Sequence, residues 1–114
     1  VELYADAVAK KIWTRAFIND LPDAAFAGIL PGGTVDDAGK TAPRDLRLLP
    51  HHTSAVTSPD DNASVDLPHL RNALARLEQA SAPAALKARM RRHLEAHARA
   101  LLPAHQDAAD HAAE

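Results

Sequence analysis

One pattern, met twice in the second half of this chain, limits its fold more than any other. Asp66 and Pro68 open one stretch, and Ser81 and Pro83 repeat the same spacing before the next. An acid or hydroxyl residue followed by proline is a helix start: the side-chain oxygen accepts an orphan N–H, and proline sits where no donor is needed. In the first stretch the Asp66 carboxylate is placed to accept the N–H of His69. Leu67, Leu70, Leu74 and Leu77 then fall within about 80° of arc at 100° per residue. In the second, Leu86, Met90, Leu94 and Leu101 form a stripe with His97 in its middle and His93 on its edge. The spacing predicts helices over about 66–79 and 82–102, the second ending at Pro103, joined by a short connection as an antiparallel pair.

The rest of the chain is less regular. Tyr4, Val8 and Ile12 share one helical stripe that predicts an N-terminal helix to about Ala16, with Trp13 off it as a candidate interface anchor. Residues Phe26 to Leu30 and the run Leu46-Arg47-Leu48-Leu49-Pro50 read as two short strands returning on each other. Between them Gly, Pro and Asp predict loop, and His51 to Ser64 reads as a polar loop. The expected fold is α+β and mostly helical: an N-terminal helix, a short β-hairpin and a C-terminal antiparallel helix pair. Residues 1–102 form a single small domain, and 103–114 a frayed acidic tail. With one Trp, one Tyr, two Phe and one Met, packing must rest on aliphatic side chains.

Charge is divided along the chain. Residues 1–66 hold ten acids against six bases, whereas 67–102 hold seven bases against Glu78 and Glu95. Arg76, Lys87, Arg89, Arg91, Arg92 and Arg99 therefore stand as candidate phosphate contacts to DNA or RNA on the outer arc of the helix pair. No aromatic residue lies among them, which argues against base stacking. Such a face equally suits an acidic protein partner, and the Ala-rich helices suit self-association. The absence of Cys excludes disulfides, thiolate metal sites and a thiol nucleophile. Apolar runs are too short for a membrane helix, and Glu2 and Asp6 argue against a targeting leader. The expected location is cytoplasmic or virion-associated.

Motifs with chemical content are sparse. The stretch Gly33 to Thr41 superficially matches a phosphate-binding loop, but five residues separate Gly33 from Gly39. Asp36 and Asp37 would repel phosphate, and Pro43 follows too soon for the helix such a loop needs. His93 and His97 are one helical turn apart, a spacing that places two imidazoles on one ion. A third ligand would have to come from His51, His52 or His69. The alternative is a solvated His93 and a buried His97 with a backbone partner, and the expectation is no metal, no cofactor and no catalytic residue.

Read jointly, "INDLPDAAFAGILPGG", "DDAGKTAPRDLRLLPHH" and "VDLPHLRNALARLEQ" resemble a poorly characterised small domain of phage and mobile-element proteins, over about residues 18–102. The resemblance implies a non-catalytic accessory role beside head-assembly or DNA-processing proteins. It also implies one structural or binding unit made of Pro43, Arg44, Arg47, Pro50, His51 and His52 next to the helix that carries His69 and Arg71. The loop from Thr53 to Ser64 is longer than that pattern, which weakens any ligand bridging His51 and His69.

Overall fold

The structure is a computed structural model that describes residues 13–102. Most of the expected N-terminal helix and the whole acidic tail lie outside the described residues. The described chain opens with helix α1 (Arg15–Asp20), capped by Thr14, whose hydroxyl accepts the N–H of Phe17 at 3.1 Å. The spacing ended a helix near Ala16; here a short helix starts at Arg15 on the Thr14 cap, and Phe17 and Ile18 pack against Leu21 and Phe26.

Strands β1 (Phe26–Ile29) and, later, β4 (Arg47–Pro50) form the expected antiparallel pair, with Gly28 opposite Leu48. The segment between them is not all loop. It folds into a second two-stranded sheet, β2 (Thr34–Val35) with β3 (Thr41–Ala42), followed by a 3-10 turn over Arg44–Leu46. Asp36 makes this possible: its carboxylate accepts the N–H groups of Ala38 and Lys40 at 2.9 and 3.1 Å and is bridged by Arg44 at 2.7 Å. An aspartate that closes a tight turn upon itself is hairpin chemistry, and here it occupies the place where a phosphate-binding loop would need open N–H groups.

Helix α2 (Leu67–Arg76) starts as expected, with Asp66 accepting the His69 N–H at 3.2 Å, and tightens into a 3-10 turn over Leu77–Gln79. Helix α3 (Ala84–Leu101) begins after Pro83, and Ser81 makes no cap bond to it. The two helices pack through Leu70, Ala73 and Leu77 on one side and Leu86, Met90, Leu94 and Ala98 on the other. The β1–β4 hairpin adds Ala27, Leu30, Leu48 and Leu49 to this core. Gly28 lets α3 ride close on β1, since a Cβ there would lie 2.7 Å from the Met90 side chain. A second, smaller core gathers Leu21, Ala25 and Phe26 around α1, with Trp13 against it. Trp13 is used inside the fold: it stacks on His69 at 3.7 Å between ring centroids and meets Phe17 edge-on.

Candidate functional site

The loop Thr53–Ser64 is pinned at its base by the Thr53 N–H to the Ser64 carbonyl and by a bridge between His52 and Val65. Directly before it, the His51 N–H reaches the Ala25 carbonyl, and the His51 carbonyl receives the Asp66 N–H. These three backbone hydrogen bonds, two of which make the His52–Val65 bridge, hold His51 and His52 against α3, where His93 and His97 stand one turn apart. The result is a cluster of four imidazoles in which one ring nitrogen from each residue lies within 4.8 Å of the others. His51, His52 and His97 are buried, and His93 keeps 18% of its side chain exposed.

The orientation of the rings matters more than their proximity. The Nε2 of His93 lies 3.1 Å from that of His51 and 3.2 Å from that of His97. The Nδ1 atoms point away and meet separate partners. That of His51 donates to the Leu49 carbonyl at 3.1 Å, that of His97 meets the Asn62 side-chain oxygen at 2.6 Å, and that of His52 meets the Ser64 hydroxyl at 2.9 Å. Leu49 has φ of +58°, a left-handed backbone that leucine rarely adopts, and its carbonyl is the one that orients His51. The Pro59 carbonyl lies 3.0 Å from Nε2 of His52 and 3.1 Å from Nε2 of His97.

Burial drives the His51 pKa down to about 3, with the Leu49 carbonyl opposing and the neighbouring imidazoles assisting. Burial likewise lowers His52, to about 4, and lowers His93. His51 is therefore neutral at pH 7. Its only ring hydrogen is committed to Leu49, so its Nε2 is a bare lone pair that requires a hydrogen on His93. The Pro59 carbonyl, a pure acceptor, takes a hydrogen from Nε2 of His52 or of His97. With His52 serving Pro59 and Nδ1 of His97 serving Asn62, the single hydrogen on Nε2 of His93 is shared between the lone pairs of His51 and His97. A cation inside the cluster would take the place of that shared hydrogen and accept the inward lone pairs directly.

The distances suit such an ion. Zinc–imidazole bonds of about 2.0–2.1 Å place tetrahedral ligand nitrogens about 3.3–3.4 Å apart. The His51–His93 and His93–His97 separations fall near that edge. Ligating histidines also characteristically hold the other ring nitrogen with an outer acceptor, as three of these do.

The sequence placed His93 and His97 as the pair able to share an ion and named His51, His52 and His69 as possible thirds. The structure joins His51 and His52 to the pair and sends His69 elsewhere, with Nδ1 2.6 Å from Asp66 and the ring on Trp13. His93 is drawn into the cluster instead of standing in solvent. Of the residues tied together by the family resemblance, Arg44, Arg47 and Pro50 line one cavity, and Arg44 and Arg47 both donate to the Asn19 carbonyl. Arg44 binds Asp36 and the carbonyls of Asn19 and Thr41. Arg47 is buried under α1, Arg71 is exposed on α2, and only His51 and His52 reach the cluster. Arg47 donates to the carbonyls of Leu21, Ile18 and Asn19, and it stacks over Phe26 at 4.2 Å.

The basic face divides as well. Arg91 pairs with Glu78, and Lys87 donates to the Glu78 carbonyl at 3.0 Å. Arg76 bonds Asn72 at 2.9 Å. Arg89, Arg92 and Arg99 are exposed and form no ion pair among the described residues. No helix among those residues is long and apolar enough to cross a membrane. In comparisons with known proteins, the chain matches no family model, no curated protein and no solved structure.

Proposed function

We propose that this chain is a non-catalytic binding module held together by a divalent transition-metal ion of the zinc class, bound by His51, His52, His93 and His97. The observation that carries this reading is the convergence of four imidazoles, one ring nitrogen of each within 4.8 Å of the others, with the outward nitrogens of His51, His52 and His97 anchored. The ion would tie the loop Thr53–Ser64 to α3, which gives a chain of this size a second, polar seam beside its leucine core. Neutral imidazoles without thiolates favour zinc, nickel or copper over calcium or magnesium, which prefer oxygen. Titration calorimetry of metal-stripped protein with zinc is the test. One ion per chain is expected, with binding lost in His51→Ala and His97→Ala. Failure of zinc, nickel and copper to bind at micromolar concentration removes the proposal.

A second reading concerns what the module contacts. The exposed guanidinium groups of Arg89, Arg92 and Arg99 on α3, with Arg71 and Arg76 on α2, support contact with nucleic-acid phosphates, in keeping with the resemblance to phage and mobile-element domains. Among the described residues Val35 is the large hydrophobic left exposed, so apolar self-association has little surface to use. Binding to a short duplex at two salt concentrations tests the phosphate reading. Affinity that does not fall with salt, or does not weaken in an Arg92→Ala/Arg99→Ala double variant, counts against it.

A further inference from the structure

Resting on the metal reading above, we infer that the centre takes a fifth ligand on the side of His93, a small oxyanion shared between the metal and Arg89. Three observations lead there. His93 is the least buried of the four ligands, and it lies at the edge of a cavity of about 550 Å³ bounded also by Asp23, Phe26, Gly28, Pro59 and Arg89. Arg89 precedes His93 by one helical turn, so both project to the same side of α3 and line the same cavity. Finally, the centre is short of negative charge. Four neutral imidazoles leave a divalent ion uncompensated, and no carboxylate belongs to the ligand set.

The carboxylates nearby do not fill that role. Asp60 is 3.8 Å from Nδ1 of His93, on the outward side of the ring, and is 93% exposed. Asp23 borders the cavity, but its oxygens accept the Thr41 N–H at 2.9 Å, the Thr41 hydroxyl at 2.7 Å and Arg47 at 3.4 Å. Arg89 has no ion-pair partner among the described residues, so its guanidinium is available to an incoming anion. A divalent cation with an adjacent guanidinium fork matches a phosphate or phosphate-ester group, which carries oxygens enough to serve both.

The experiment uses the full chain loaded with cobalt(II), whose visible spectrum reports its ligands, and inorganic phosphate as the probe. Phosphate is expected to change the cobalt spectrum saturably. Its affinity should fall about tenfold in Arg89→Gln, the loss of one charge-assisted contact, while cobalt affinity holds. Arg15→Gln, an equal charge change on α1 away from this cavity, should leave both unchanged. If cobalt binds and phosphate leaves its spectrum untouched, the fifth ligand is refuted and the metal centre stands. If Arg89→Gln and Arg15→Gln respond alike, Arg89 is not a ligand to the anion and the inference fails in that form. If cobalt does not bind at all, the metal reading itself falls and takes this inference with it.

Discussion

Two polar nests are buried in this protein, and they differ in what stands at the centre: a guanidinium in one, four imidazole rings in the other. Around Arg47, donors meet acceptors: the carbonyls of Leu21, Ile18 and Asn19 and the carboxylate of Asp23 surround the guanidinium, with Phe26 beneath it. Only its Nε lacks a partner. Around His93, the outer nitrogens of His51, His52 and His97 have partners, and the inner ones face one another or the Pro59 carbonyl. A buried charge with enough acceptors is a finished structural element. A ring of imidazoles meets its inner contacts through shared ring hydrogens, whose place a cation would take.

Acidification should separate the two nests most strongly. His51 and His52 have pKa values pushed down by burial to about 3 and about 4, from 6.5. Between those limits the unfolded chain binds more protons than the folded one, so the stability of metal-free protein is full above pH 6.5 and falls as pH drops below it. The slope approaches about 1.4 kcal/mol per pH unit for each histidine. Asp23 behaves differently. Burial pushes its carboxyl up, but hydrogen bonds from Thr41 and Arg47 outweigh this and hold it below its ordinary 3.8, so its pairing persists through that window. Chemical denaturation of metal-free protein at pH 7 and pH 5 checks this. Equal stability at the two values contradicts the neutral buried imidazoles.

Removing the guanidinium attacks the other nest. Arg47→Met keeps bulk but removes one donor from each of three carbonyls and a carboxylate, and about 3–5 kcal/mol of stability should be lost, metal present or not. A loss below about 1 kcal/mol would mean that water replaces the cation there.

Zinc should act on one nest alone. At a thousandfold excess over its dissociation constant it should stabilise the wild type by about 4 kcal/mol. Arg47→Met should gain as much, whereas His97→Ala should gain nothing. Thermal melts with and without zinc read this directly.

The smallest effect concerns the outer support. Asn62→Ala removes the acceptor for Nδ1 of His97 and should weaken zinc binding about 10- to 100-fold while leaving the melting temperature of the metal-free protein within a degree or two. An unchanged zinc affinity would mean that the ring is held by packing alone.

Much of the scaffold was legible in the chain itself. Asp66 and Pro68 announce α2, the strands over residues 26–29 and 47–50 follow from their apolar runs, and Leu86, Met90 and Leu94 lie on the buried stripe that spacing defines. All of these are local, set by backbone capping and by the repeat of the helix. The β2–β3 sheet escaped notice because its strands are two residues long and depend on the side chain of Asp36.

The basic outer arc was also determined by sequence, since residues off a leucine stripe must face away from it. His93 and His97 form a pair for the same reason. Tertiary structure alone decided that His51, separated from His93 by 42 residues, would meet it, that His69 would turn to Trp13, and that Arg47 would be enclosed. Helical spacing fixes which side chains share a face, but not what arrives opposite. That depends on how the β1–β4 hairpin lies across α3, a contact whose closeness Gly28 permits.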